Sequence, residues 1–252
     1  MPEPVLEFTD VVAGYGALTI LNGFSAEIAA GRVTTLIGAN GAGKSTVFKT
    51  LFGLAEMRAG EIRLDGEPVG GLAPRALLAR GVAYVPQGRN LFPTLSVEEN
   101  LELGGVTLAA AVRRARMARV LERFPRLAER RAQQASTLSG GEQKTLEIGR
   151  ALLGEPRVLL VDEPSIGLSP KLAREVFATL RGLADAGGVT VLMVEQNVKS
   201  GLAASHRAIA LEGGRAVLEA PADAILAHPR IRSVFLGGHV AQTVSGRAAG
   251  GA

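Results

Sequence analysis

A chain of 252 residues with a net charge of +4 can form one large α/β domain, or a core carrying a small inserted lobe. It has no cysteine, which excludes disulfides and thiolate metal sites, and its eight Phe, two Tyr and no Trp make any core largely aliphatic. No run of about 18 apolar residues is present and Met1-Pro2-Glu3-Pro4 lacks a basic, apolar leader, so the expectation is a soluble or peripheral protein.

In chain order, Val5 to Val12 alternates as a strand, with a turn at Gly14-Tyr15-Gly16. Arg32 to Ile37 reads as a second strand entering a glycine loop, and Ser45 to Phe52 as the helix that follows. Glu61 to Gly66 has strand-plus-turn chemistry. From about Ser96 to Leu153 the pattern is helical, and Pro125 divides the arginine-rich stretch Arg113 to Arg131 into two shorter helices. That charge run reads as a solvated face, with contact to lipid headgroups or a partner as the alternative. Val158 to Val161 is purely aliphatic, the composition of a strand buried on both faces of a parallel sheet. Leu172 to Leu183 reads as a helix, Val189 to Val194 as another buried strand, and Ile209 to Val217 as a hairpin turning at Gly213-Gly214. The expectation is one domain over residues 1–237, with a helical part at 96–153 inserted in the core. A flexible Gly/Ala/Ser-rich tail is expected from 238 to 252.

Gly38-Ala39-Asn40-Gly41-Ala42-Gly43-Lys44-Ser45, followed by Thr46, matches the phosphate-binding loop and sits where it must, between an apolar strand and a helix. Glycines let backbone N–H groups converge on phosphate oxygens, and the helix N-terminus adds a favourable dipole. Lys44 is placed to reach the β- and γ-phosphates and the Ser45 hydroxyl to sit on Mg²⁺. At the end of Val158 to Val161, Asp162 is placed beside the metal, and Glu163 toward the γ-phosphate to polarise the attacking water.

Leu138-Ser139-Gly140-Gly141-Glu142-Gln143 is a glycine turn opening a helix, placed ahead of Asp162. With these motifs the chain resembles the ATP-binding cassette (ABC) ATPases over nearly its whole length, from Val5 to about Val217. The resemblance implies an α/β phosphate-loop fold with a parallel α/β core, an antiparallel β subdomain and an α-helical subdomain. It implies that Ser139, Gly140, Gly141, Glu142 and Gln143 form the turn that binds the γ-phosphate of ATP held by an opposite subunit. By the same resemblance Tyr15 stacks on adenine and Gln87 senses Mg²⁺ and γ-phosphate. The segment Ser165 to Ser169 then crosses the dimer axis. The chain departs from most relatives after Val194, where Glu195-Gln196-Asn197 puts Gln196 in the place of a γ-phosphate-contacting histidine. Its amide donates a hydrogen bond but cannot become cationic.

Val194-Glu195-Gln196-Asn197, the loop Gly38 to Lys44, Pro86-Gln87-Gly88-Arg89 and Ile148-Gly149-Arg150-Ala151-Leu152 together resemble the smaller ATPase of branched-chain amino-acid importers. That resemblance implies ATP and Mg²⁺ as cofactors and transmembrane permease subunits as partners. It also implies a second ATPase in a heterodimer, with a homodimer as the alternative, and a periplasmic solute-binding protein acting indirectly. The implied location is peripheral, on the cytoplasmic face of the inner membrane, and no nucleic acid is expected. The alternatives are a related urea or amide importer, an exporter, or a soluble mechanical ABC ATPase acting on nucleic acid. The last carries long coiled-coil or zinc insertions, which this sequence lacks. A translation-associated ATPase would need two cassettes in one chain, and phosphate-loop kinases and GTPases have no use for Leu138 to Gln143.

Overall fold

The computed structural model describes residues 3–229 and 231. The expected tail at 238–252 lies outside the described residues, as does the end of the expected domain at 237.

The chain opens with two long strands, β1 (Pro4–Tyr15) and β2 (Leu18–Ala29), which form an antiparallel hairpin. The strand expected at Val5 to Val12 therefore runs on through Tyr15, and the turn falls at Gly16-Ala17, past the expected place. Position 14, inside the strand, admits only glycine because a Cβ there would stand 1.9 Å from the Leu18 carbonyl oxygen. β3 (Val33–Gly38) feeds the glycine loop and α1 (Lys44–Leu51) leaves it. β4 (Glu56–Leu64) begins earlier than the sequence reading placed it and pairs with β1, while β5 (Glu67–Pro68) closes the edge. The short α2 (Pro74–Ala79) and β6 (Val82–Val85) follow, neither of which stood out in the sequence.

The helical stretch resolves into α3 (Val97–Gly104), α4 (Ala110–Arg123), α5 (Pro125–Glu129) and α6 (Gly140–Leu152). α4 and α5 are broken where Pro125 stands, since a proline ring clashes with the preceding turn and lacks an N–H. Met117, Val120, Leu121 and Leu127 turn inward at helical spacing, while Arg114, Arg119, Arg123 and Arg126 are exposed. The remaining elements are β7 (Val158–Asp162), α7 (Pro170–Asp185), β8 (Thr190–Val194), α8 (Val198–Ala203), β9 (Arg207–Glu212), β10 (Arg215–Pro221) and α9 (Ala222–Ala227).

Two sheets result. One is antiparallel with order β2-β1-β4-β5; the other has order β10-β9-β3-β8-β7-β6, parallel from β9 to β6 and with β10 antiparallel at the edge. Side chains of a strand alternate between faces. Accordingly Val158, Leu160, Leu192 and Val194 face a core shared with α1 and the antiparallel sheet, around Phe8, Phe24 and Phe48. Leu159, Val161, Val191 and Met193 face the opposite core, shared with Leu101, Leu127, Leu146 and α7. Burial on both faces is why these strands read as unbroken aliphatic runs rather than alternating ones. Among the described residues no helix is long and apolar enough to cross a membrane.

Candidate active site

β3, β7 and β8 are neighbours in the parallel sheet, so the glycine loop, Asp162-Glu163 and Gln196 all emerge from the same carboxyl edge. In open parallel sheets ligands bind at that edge. The loop is shaped by backbone geometry. Gly43 stands at the N-cap of α1 with φ 100°, a left-handed conformation that glycine tolerates. A Cβ at Gly38 would lie 2.6 Å from the Leu211 carbonyl oxygen, so β9 presses against the loop's base. The turn between β9 and β10 holds the loop from the side. Gly214 N donates to the Ala42 carbonyl at 3.1 Å, and Gly214's own carbonyl accepts from Asn22 N at 3.1 Å.

Ala39, Asn40 and Gly41 remain exposed, whereas Gly38, Ala42, Gly43, Lys44 and Thr46 are buried and Ser45 is half-buried. Lys44 Nζ donates back to the loop carbonyls of Gly38 at 2.9 Å and Ala39 at 3.1 Å. Burial pushes the Lys44 ammonium below its ordinary pKa, while the Glu163 and Asp162 carboxylates act to raise it. A phosphate in the loop would offer that ammonium a stronger, anionic acceptor than a carbonyl.

The Ser45 hydroxyl donates to Asp162 Oδ1 at 3.0 Å, and the Tyr84 hydroxyl donates to Asp162 Oδ2 at 3.3 Å. Asp162 is 1 % exposed, and burial pushes its carboxyl above the ordinary range; the Ser45 hydrogen bond pulls it down and Glu163 pushes it further up. Burial and Asp162 likewise raise the Tyr84 phenol, so it stays a neutral donor. Glu163 follows in a left-handed conformation, φ 48°, although it is neither Gly nor Asn. Its backbone N–H donates to Val194 O at 2.9 Å, holding it against β8. Such outliers survive only where the surroundings over-determine them, and Asp10, Asp65 and Glu155 share this left-handed region. Both carboxylate oxygens of Glu163 accept amide donors: Oε2 from Gln87 Nε2 and Oε1 from Gln196 Nε2, each at 2.7 Å.

The structure thus gathers Lys44, Ser45, Gln87, Asp162, Glu163 and Gln196 into one site. The signature turn is built separately. Ser139 caps α6: its hydroxyl accepts from Glu142 N at 3.4 Å, while Glu142 Oε2 accepts from Ser139 N at 2.9 Å and Ser139 Oγ at 2.7 Å. Arg130 Nε holds the other Glu142 oxygen at 2.9 Å, and Gln143 Nε2 donates to the Ala135 and Leu138 carbonyls. Gly140 lies against Leu168 of the loop Ser165 to Ser169, and Gly141 against Leu172 at the start of α7. Tyr15 ends β1 and is 41 % exposed. Arg58 fixes the adjoining turn through Gly16 O and Thr19 Oγ1.

Sequence reasoning missed Tyr84, Glu195 and Asn90. The contact of Tyr84 with Asp162 depends on β6 pairing with β7. Glu195, 1 % exposed, accepts from Ser165 N and Asn197 N at 3.0 Å each, bracing the loop after Glu163. No local pattern announced it.

A family model described as "ABC transporter" matches residues 21–166. The chain is 44 % identical over 234 residues to the high-affinity branched-chain amino acid transport ATP-binding protein BraG of Pseudomonas aeruginosa, covering 93 % of this chain and all of that one. It is 38 % identical to the probable branched-chain amino acid transport ATP-binding protein LivF of Archaeoglobus fulgidus, covering 89 % and 95 % of the two chains. BraF, a second such protein of Pseudomonas aeruginosa, is 32 % identical and covers 94 % and 99 %. Among solved structures, the ADP conformation of an ATP-binding cassette of an ABC transporter superposes with a TM-score of 0.85 at 25 % identity, covering 93 % and 99 %. A glycine loop, a buried Asp162-Glu163 pair and a capped signature turn, on this sheet order and with these relatives, place the chain in the ABC transporter family as one of its ATP-binding cassettes.

Proposed function

We propose that this chain is the ATP-hydrolysing subunit of an importer for branched-chain amino acids. The observation that carries the chemistry is the Ser45–Asp162–Glu163 constellation at the mouth of the glycine loop. The solute class rests on the likeness to BraG and LivF over almost the full length of each.

Lys44 and the loop N–H groups hold the β- and γ-phosphates of ATP, and Tyr15 stacks on the adenine. A buried carboxylate pushed up in pKa is short of a cation, and Ser45 Oγ, Asp162 and the Gln87 amide oxygen are hard oxygen donors that suit Mg²⁺. The ion, when bound, neutralises charge developing on the phosphate oxygens. Glu163 orients the attacking water and accepts its proton, while Gln196 donates toward the γ-phosphate. Ser139 and the N–H groups around Gly141 bind ATP held by a facing ATPase subunit, so two nucleotides close two subunits head to tail. Catalysis is positioning plus electrostatics, without a covalent intermediate.

Residues 96–153 act in this reading as a helical lobe inserted in the nucleotide core. A groove of about 660 Å³ runs past Tyr84, Pro86 and Asn90 to the lobe, with Leu78, Leu103 and Val106 exposed along it. Exposed apolar side chains beside the Gln87 loop support a seat for a permease helix there. The facing subunit is a second, different ATPase, a reading supported by the existence of BraG and BraF in one organism. The chain then works peripherally on the cytoplasmic face of the membrane, and a periplasmic solute-binding protein acts only through the permeases.

The test is to tag the chain, solubilise native membranes gently and identify what co-purifies. Two permeases and a second ATPase, with turnover raised by leucine-loaded binding protein after reconstitution, are the expected result. Recovery alone, or with nucleic-acid-bound partners, would overturn the transporter reading.

A further inference from the structure

One helix carries both the signature turn and an ion pair that the chemistry above does not use. Lys144 and Glu147, one and two turns past Ser139 on α6, are 6 % and 4 % exposed and meet at 2.5 Å between Nζ and Oε2. Desolvating two charges costs several kcal/mol per ion, so a buried pair is weak evidence for stability by itself. Its remaining contacts show what it holds. Glu147 Oε1 accepts the backbone N–H of Asn90 at 2.8 Å, and Lys144 Nζ reaches the Gly88 carbonyl at 3.4 Å. The Asn90 side chain, in turn, donates to the Pro86 carbonyl at 2.9 Å and the Gly88 carbonyl at 3.3 Å. Gln87 lies between those two carbonyls and holds Glu163 at 2.7 Å.

Further along, the segment is tied to the helices and not to the sheet. Asn100, fully buried on α3, accepts from Phe92 N at 2.9 Å and donates to Phe92 O at 3.0 Å. On the other side, Pro86 follows directly from β6 of the parallel sheet. Gly88 has φ 94°, a turn conformation that side chains resist, so the chain changes allegiance from sheet to helices at Pro86–Gly88.

We propose that Lys144 and Glu147 are positioning residues that clasp the Gln87 loop to α6, so that movement of the signature turn draws Gln87 toward or away from Glu163. This rests on the ATPase reading above. α6 is the strut: its first turn meets the facing subunit's nucleotide, and its second and third hold the loop that touches the water-activating carboxylate. Contact made by one subunit thereby reaches the site of the other without passing through the parallel sheet.

Two double variants separate clasping from folding, because both remove the buried charges. Lys144→Met with Glu147→Leu fills the space with apolar side chains and leaves Asn90 N without its acceptor. Lys144→Met with Glu147→Gln keeps an amide oxygen for it. We expect amide exchange of residues 87–92 in the full chain to quicken by at least ~10-fold in the leucine variant, about the worth of one lost hydrogen bond, and to recover in the glutamine variant. Turnover should follow, with kcat down by at least ~10-fold in the leucine variant, KM for ATP within about twofold, and recovery with glutamine. Equal exchange and kcat in both variants and the parent would overturn the clasp. So would a leucine variant that loses ATP binding along with turnover, which marks a merely structural pair. An unmutated chain that fails to hydrolyse ATP with its partners would sink the ATPase reading, whereas exchange at 87–92 still decides the clasp.

Discussion

Gln196 Nε2 donates a 2.7 Å hydrogen bond to Glu163 Oε1 while Gln87 occupies the other oxygen of the same carboxylate. Glu163 is therefore held between two neutral amides, neither of which can become a cation. Each oxygen keeps a second lone pair, so a water can join this carboxylate beside the two amides. Both amides come from loops, Gln87 from the one after β6 and Gln196 from the one after β8.

Glu163→Gln should keep ATP binding and lose at least ~10²-fold in turnover, the usual loss for a positioned general base. The replacement is nearly isosteric, so the fold and the glycine loop should be undisturbed. Steady-state hydrolysis alongside equilibrium binding of a fluorescent nucleotide checks both halves. Hydrolysis at the parental rate would remove Glu163 from the base role.

Position 196 gives the pH dependence a sharp expectation. The parental turnover profile should show no step near pH ~6.5 that belongs to this position, since an amide does not titrate there. Gln196→His should introduce one. An unchanged rate and pH profile in that variant would detach position 196 from the γ-phosphate.

Asp162 should cost the nucleotide-free fold stability at neutral pH. Its carboxyl is pushed above the ordinary range, burial first, so the folded chain holds that proton more tightly than the unfolded chain does. The favourable contribution is full below the ordinary carboxylate value and is lost as pH rises through the raised one. Asp162→Asn removes the titration. It should therefore gain about 0.5–2 kcal/mol at pH ~7.5, with the gain fading below pH ~4, while Mg²⁺-dependent nucleotide binding is lost. Thermal unfolding without nucleotide at the two pH values is the check, and a variant less stable than the parent at pH ~7.5 would contradict it.

Ser139 has two jobs that substitution can separate. Ser139→Ala removes the cap of α6 and should cost about 1 kcal/mol of stability. Ser139→Asp keeps a capping oxygen for Glu142 N but sets its carboxylate beside that of Glu142, so its stability should lie between those of the parent and the alanine variant. It also places a negative charge where a γ-phosphate must approach. Both should abolish ATP-dependent dimers in the Glu163→Gln background, measured by size-exclusion chromatography with light scattering. Dimers persisting in the aspartate variant would separate Ser139 from the facing nucleotide.

Much of this was legible in the chain because it is written locally. The glycine loop shows itself through glycines that no other residue can replace without strain or collision, as at Gly43 and Gly38. The parallel strands show as aliphatic runs because both their faces are buried, and the division of α4 from α5 was visible in Pro125 alone. Nearest-neighbour chemistry sufficed for these. What the sequence by itself determined, then, was the inventory: a glycine loop between a strand and a helix, a carboxylate pair after a buried strand, a capped glycine turn, and a glutamine, Gln196, just past an aliphatic strand. Only the tertiary structure decided how they meet. β3 lies between β8 and β9, and β7 between β6 and β8, so Ser45, Tyr84, Asp162, Glu163 and Gln196 converge from segments far apart in the chain. The bracing of the Gln87 loop by Lys144 and Glu147 was equally invisible, because a charged pair on a helix has the same spacing whether it faces water or a buried loop. Side-chain direction at such positions follows from which surfaces the whole fold buries, and no short window of sequence contains that.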